Sequence, residues 1–322
     1  MSLGPRMAKV VLRRLAQMLL IMLTVSLLLF AIFDSDQFRR KVAVAELGGL
    51  GVATFSDSDY QEWLDKKGLN QPFVVRYGRW LAAVCHGDLG DSMEKDVAVS
   101  TLLKESLANT GILAFFVFLF LIPLSLTLGV LAGMNEGSLP DRLISFVAVF
   151  TTSIPQIATA VLLTVIFALG LRWVPSKSAM TDGWSFSALV LPLTTLLLYD
   201  VGYIVRMTRA AMSDVMGSQF IRTAVLKGLP RRRVILNHAL KNALVVPVTL
   251  LCLELNGLLS QVVVVEVFFQ YAGFGRMLFD AATFGDIQVI QAATLVAVAV
   301  AVLSQLLSDA ATVLLNPRVR FA

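Results

Sequence analysis

Apolar runs long enough to cross a bilayer recur along this chain, and they dictate what it can fold into. They cover Leu15 to Phe33, Leu107 to Met134, Leu143 to Leu171, Ala188 to Arg206 or a little beyond, Leu244 to Val265, and Val289 to Leu315. About 20 apolar residues in a helix span the hydrocarbon core, and a helix satisfies its own backbone there. The expected fold is an all-α polytopic membrane protein with six transmembrane helices. Composition agrees, since only 15% of residues are charged, against about a quarter in a soluble domain.

The charges between the runs set an expected topology. Arg6, Lys9, Arg13 and Arg14 precede the first run, which places the N-terminus inside and reads as a retained helix. A cleaved signal peptide is the alternative, but no small-residue cleavage site ends the run. Residues 34–106 carry twelve acids and nine bases and form the expected outer domain between helices one and two. Within them, Val74 to Val84 predicts a helix between two turn-rich segments. Arg318 and Arg320 keep the C-terminus inside, after Pro317 stops the last helix. The expected divisions are 1–33, an inner end and first helix; 34–106, the outer domain; and 107–322, a five-helix core.

The most basic stretch lies between helices four and five. From Arg206 to Lys241 there are eight Lys or Arg against one acid, Asp214. Phe220 to Lys227 reads as a short helix, and Gly228 supplies a permissive backbone position. Leu229-Pro230 opens a second helix that carries Arg231, Arg232 and Arg233, with Val234, Ile235, Leu240 and Leu244 as an apolar stripe. Two short helices hinged at a glycine make a docking knob for a cytosolic partner. A plain basic inner loop that fixes topology has the same composition.

Several polar residues fall within the apolar runs. Asp200 sits beside Tyr199 and Tyr203, and an acid in a membrane helix is a functional candidate. It lines a pathway or pairs with a base such as Arg206. Glu254 is the second such acid, with Gln261 two turns onward on a similar face. Thr151, Thr152, Ser153 and Gln156 cluster around Pro155 in the third run. They line a polar pathway or hydrogen-bond between helices. Gly129 and Gly133 have the spacing of close helix packing. Residues 266–288 are apolar but broken by glycines and charges, which suits a re-entrant or interfacial segment.

Several chemistries are absent from the sequence. It has no G-x-x-x-x-G-K-[ST] phosphate loop, no His/Cys/Asp group with metal-ligand spacing, and no Ser/His/Asp set. The net charge of +5 is expected to serve topology and membrane lipids, not nucleic acid. Cys85 and Cys252 fall in an outer loop and a membrane helix, so no disulfide framework is implied.

The basic stretch resembles a known family. Ala224-x-x-Lys227-Gly228-Leu229, then His238-Ala239-Leu240-x-Asn242-Ala243 and Pro247, resembles the coupling loop of binding-protein-dependent ABC transporter permeases, within the dipeptide/oligopeptide/nickel group. Val225-Leu226 stands where that family usually has Arg-Ala. Gly87-Asp88-Leu89-Gly90-Asp91-Ser92 resembles its outer-loop motif. Val262 to Val265 with Glu266, Phe269, Gly273, Gly275 and Asp286 resembles its outer gate region, with Ala272 in place of proline. Asn316-Pro317-Arg318-Val319-Arg320 resembles its C-terminal Asp-Pro-Arg-x-Arg.

The resemblance implies a type I ABC importer permease fold in a bacterial inner membrane. It implies a coupling loop, 212–243, in which Gly217, Phe220, Arg222, Ala224, Lys227, Gly228, Leu229, Arg231, His238 and Asn242 meet an ATPase. Further implied partners are a second permease subunit, two cytosolic ATPase subunits and an extracytoplasmic solute-binding protein. ATP and Mg would be bound by the ATPases, with no cofactor, metal or catalytic residue on this chain. Peptides, nickel and other small solutes are the family's cargo. The competing expectation is a proton-coupled secondary transporter using Asp200 and Glu254, which calls for inverted repeats.

Overall fold

The computed structural model describes residues 4–48, 56–179 and 185–315. The regular elements among these residues are all helices, with one isolated bridge between Asp91 and Ala98. The C-terminal motif at 316–320 lies outside them.

In chain order, α1 covers Gly4–Phe33, α2 Asp36–Gly48, α3 Asp57–Lys66, α4 Phe73–Cys85 and α5 Val99–Gly133. Then α6 covers Leu139–Ser153, and α7 covers Gln156–Leu163 and continues as a π-helical turn to Gly170. The long α8 runs over Phe186–Met216, and α9 over Gln219–Leu226. The short α10, Arg231–Arg233, passes through a π turn at Val234–Ala239 into α11, Leu240–Ala243. Finally come α12 (Val245–Phe269), α13 (Phe274–Phe284) and α14 (Ile287–Leu315).

Among the described residues, five helices are long and apolar enough to cross a membrane: α1, α5, α8, α12 and α14. The sixth expected span departs from the sequence reading. It is a broken pair, α6 and α7, bent by 100°. The break falls at Ile154, which is extended (φ −91°, ψ 126°) and precedes Pro155. A proline ring crowds the residue before it out of the α region and removes a backbone donor. The same chemistry at Pro123 and Pro192 leaves α5 and α8 continuous.

The chain divides into two compact units. The first comprises Met1–Glu105 with Asp280–Ala299. The stretch from 34 to 105 therefore clusters with helix α1 and with a late segment. Its small core holds Ala43, Tyr60, Trp63 and Leu64. Ser56 caps α3 in a reciprocal capping box with Asp59, which satisfies two end donors. Phe30 of α1 meets Phe73, Tyr77 and Trp80 of α4, each at 5.5 Å between ring centroids. Asp34 pairs with Arg76. The sequence reading anticipated α4 but neither α2 nor α3.

The second unit comprises Ser106–Phe279 with Val300–Ala322. Its central helix is α8, whose most apolar window is 61% buried, against 22% for α5 and α12. Leu113, Val117 and Leu121 of α5 meet Leu189, Leu193 and Leu196 of α8 and Leu258, Val262 and Val265 of α12 in one core. Spacings of three, four, seven and eight put each set on one helix face. Glycine allows the close crossings. A Cβ on Gly129 would lie 2.4 Å from Thr208 Cβ, and one on Gly133 would lie 2.6 Å from Arg209 O. The expected small-residue packing therefore joins α5 to α8.

Candidate functional site: a hinged basic element and two buried acid groups

The basic stretch forms a hinged helical element. Lys227 caps the end of α9, and Gly228 takes φ +74° while its N–H donates to Val225 O at 2.9 Å. A Cβ at Gly228 would meet nothing within 4 Å. The need for glycine is thus conformational, as at many helix C-termini. Ile221 and Ala224 face inward onto Met212, Val234, Ala239 and Ala243. Phe220, Val225 and Leu226 face outward, and Leu226 is 80% exposed.

The other expected residues of this element serve several roles. Gly217 closes α8. Arg222 and Lys227 are exposed, while Leu229 is half-buried. Arg231 donates to Met134 O at 3.1 Å and to Asn135 Oδ1 at 2.7 Å, tying the element to the turn after α5. His238 lies in the π turn, and its carbonyl accepts from Asn242 Nδ2 at 2.8 Å. The second helix of the knob is therefore not one regular α-helix, as the sequence implied, but two short α segments joined by a π turn.

An ion pair that sequence reading missed braces the same region. Arg209 grips Asp141 with two bonds, Nε to Oδ1 at 2.5 Å and Nη2 to Oδ2 at 2.8 Å. Gly137 N–H adds a third at 2.9 Å. Asp141 is buried, so its charge depends on that bidentate partner. The available signal was Ser138-x-x-Asp141, a helix-start pattern.

The first buried acid group centres on Glu266, at the end of α12. Its Oε1 accepts from Thr110 Oγ1 at 2.6 Å, and its Oε2 from the N–H of Gly275 at 2.7 Å and of Arg276 at 3.2 Å. Thr110 also accepts from Phe274 N–H at 2.8 Å. Glu266 thus caps the start of α13 and fastens it to α5. Gly273 and Gly275 leave room for it. A Cβ on Gly273 would sit 2.1 Å from Glu266 Oε1, and one on Gly275 would sit 2.6 Å from Val263 Cα. Phe269 is fully buried beside it.

Four of the five expected gate residues therefore converge, and Thr110 is the partner sequence reading missed. The segment itself is not a single re-entrant piece. α12 runs through Phe269, Gln270 turns left-handed (φ 58°), and α13 starts at Phe274. Asp286 does not join the group. It lies in the first unit, where Oδ2 accepts from Ser92 Oγ at 2.6 Å and Oδ1 from Val289 N–H at 3.3 Å. This bond explains the serine of the Gly-Asp-Leu-Gly-x-Ser segment.

The second acid group joins α7, α8 and α12. Gln261 Nε2 donates to Asp200 Oδ1 at 3.2 Å and to Glu254 Oε1 at 3.0 Å. Gln156 Nε2 donates to Gln261 Oε1 at 3.2 Å. The expected pairing of Asp200 with Arg206 is not formed, because Arg206 reaches Thr152 Oγ1 at 3.4 Å instead. The hydroxyls of Thr151, Thr152 and Ser153 bond back to carbonyls of their own helix. Thr152 to Gln156, with Tyr199, Gly257 and Gln261, line a cavity of about 560 Å³ at the α6–α7 break. Among the described residues no group of three metal-ligating side chains occurs.

Membrane-length helices, a broken pair of helices with a cavity at its break, and an exposed hinged element between two spans are the features of a polytopic membrane protein. The family model described as the binding-protein-dependent transport system inner membrane component matches residues 125–321. The chain belongs to that family, and so is a permease subunit of the ABC-importer type, a multi-pass protein of the inner membrane. It is 32% identical over 320 residues to a putative peptide transport system permease protein of Brucella abortus, covering 98% of this chain and all of the relative. It is 29% identical to the oligopeptide transport system permease protein AppB of Bacillus subtilis, covering 98% of this chain and all of that one. To the oligopeptide transport system permease protein OppB of Escherichia coli K12 it is 31% identical, over 79% of this chain and 82% of the relative. Permeases of this family work with ATPase and binding-protein partners.

Proposed function

We propose that this chain forms half of the transmembrane pathway of an ATP-driven importer of peptides or a similar small solute. A second permease subunit, of related sequence, supplies the other half. Two cytosolic ATPase subunits bind ATP and Mg, and this chain holds neither and catalyses nothing by itself. An extracytoplasmic binding protein delivers the solute. Both termini lie on the cytoplasmic side, and residues 34–106 belong to the outer face. Relatives named as peptide permeases, matched over nearly the full chain, support the cargo class.

The single observation that carries the coupling role is the form of 217–243. An amphipathic helix turns its apolar residues Phe220, Val225 and Leu226 outward among basic side chains and ends at a glycine with φ +74°. Exposed apolar residues on an otherwise charged connection fit a partner groove better than water. Closure of the ATPases would draw this element and its counterpart together, shifting the pathway between two conformations.

Uptake into vesicles holding the whole complex tests the reading. Gly228→Pro is expected to abolish ATP-driven uptake while the chain still inserts. Proline's φ of about −65° cannot adopt the Gly228 turn, and it removes the bond to Val225. Uptake should persist when an ionophore collapses the proton gradient while ATP remains. Uptake that fails with the gradient would favour the proton-coupled transporter instead.

A further inference from the structure

The acid group on α8 and α12 is incomplete. Asp200 is 1% exposed, and its Oδ2 has no hydrogen-bond partner. Its Oδ1 accepts from the Gln261 amide, which it shares with Glu254, and the Asp200 and Glu254 carboxyl groups lie within hydrogen-bond reach of one another. Among the described residues neither acid takes part in an ion pair. Arg206, on the same helix, is exposed and directed to Thr152. A buried carboxylate with so few donors is costly unless a cation or a proton completes it.

The surroundings determine which ligand fits. Gln156 donates to Gln261 Oε1, which fixes the amide so that its NH₂ faces the acids. The adjoining cavity of about 560 Å³ sets the polar groups of Thr152, Ser153, Gln156, Tyr199 and Gln261 among Ile154, Pro155 and Gly257. It is of the size that holds small ligands. Gly257 lines the cavity, and a Cβ there would stand 3.0 Å from Glu254 Oε1. The glycine keeps the approach to Glu254 open. An ammonium has three donors and no acceptor, which suits two carboxylates with unused lone pairs. A bare metal ion fits less well, because only two anionic ligands are present and an amide N–H points at both.

We propose that Asp200 and Glu254, oriented by Gln261, bind a protonated amine carried by the transported solute. The proposal rests on the peptide-importer reading. The amine is either a peptide N-terminus or a lysine side chain. Gln261 and Gln156 are positioning residues.

The first test is ATP-driven uptake by the complete complex of three probes: trialanine, N-acetyl-trialanine, and N-acetyl-Ala-Lys-Ala. The binding protein is unchanged throughout, so a changed ratio between probes reports on the permease. Asp200→Asn and Glu254→Gln, both isosteric, are expected to slow trialanine uptake roughly tenfold and to leave N-acetyl-trialanine unchanged. Loss of N-acetyl-Ala-Lys-Ala uptake as well would show that a side-chain amine also serves. Equal loss on all three probes would overturn the proposal, as the mark of a shared proton or a structural role. An unchanged ratio would overturn it too.

The second test needs no importer. n-Butylammonium should raise the thermal unfolding midpoint of the purified full-length chain above that in sodium chloride of equal ionic strength, and Asp200→Asn should abolish the difference. No difference in the wild type would overturn the site. A wild-type complex that takes up no peptide while the butylammonium shift persists would overturn the importer reading and leave the amine site standing.

Discussion

Glu266 and Asp200 are both buried acids in the same helical unit, and their surroundings are opposite. Glu266 has three donors, one on Oε1 and two on Oε2. Asp200 has one amide donor, shared with Glu254, whose carboxyl group lies within hydrogen-bond reach of its own, and one oxygen with no donor. A fully satisfied buried carboxylate fastens structure, whereas a half-satisfied one is held for something else. The two acids thus divide the polar interior into a brace at the α12–α13 turn and a receptive group beside the cavity.

The largest effect is expected at the brace. Glu266→Ala orphans the Gly275 and Arg276 N–H groups and the Thr110 hydroxyl, and should destabilise the chain by about 3 kcal/mol. Thermal unfolding in detergent measures this directly, and a loss under about 1 kcal/mol would break the comparison. Asp200→Asn should lie at the other extreme, within about 1 kcal/mol of wild type, because it removes a poorly compensated buried charge. A loss as large as that of Glu266→Ala would show that Asp200 is a second brace.

The smallest effect is expected in the first unit, where Tyr60 OH donates to Asp36 Oδ1 at 2.7 Å. That bond, with Arg40 beside it, holds the Asp36 carboxyl below its usual range. Burial and the same bond push the Tyr60 phenol up to about 12. For Asp36 the contribution is present above the unfolded value and is lost as pH falls below about 4. For Tyr60 it is present below about pH 10 and is lost as pH rises toward 12. Tyr60→Phe should flatten both ends of the stability profile for α2 and α3. Hydrogen exchange in α3 reads it, and an unchanged profile would place the pH dependence elsewhere.

Much of this architecture is legible in the residues. The apolar runs, the glycine crossings, the Gly228 turn and the Glu254–Gln261 relation are local or periodic, and each appears where the pattern puts it. Three features are not local. The break at Pro155 cannot be told from Pro123 or Pro192 by the residue-before-proline rule, because all three obey the same sterics. Asp200 finds Gln261 sixty-one positions away, a pairing no spacing reveals. Thr110 reads as an ordinary polar residue in an apolar run until the fold sets it against Glu266. Asp286 shows the reverse error, since 20 positions of shared motif do not make one site.

The proposed coupling role makes α9 the surface through which ATP hydrolysis reaches the pathway. A photo-crosslinking amino acid at position 226, the most exposed apolar position of α9, tests it in native membranes, with mass spectrometry of the adducts. The account predicts adducts with a cytosolic ATPase subunit that shift or weaken when ATP is trapped. Adducts confined to lipid, or to an extracytoplasmic protein, would contradict both the coupling role and the topology on which it depends.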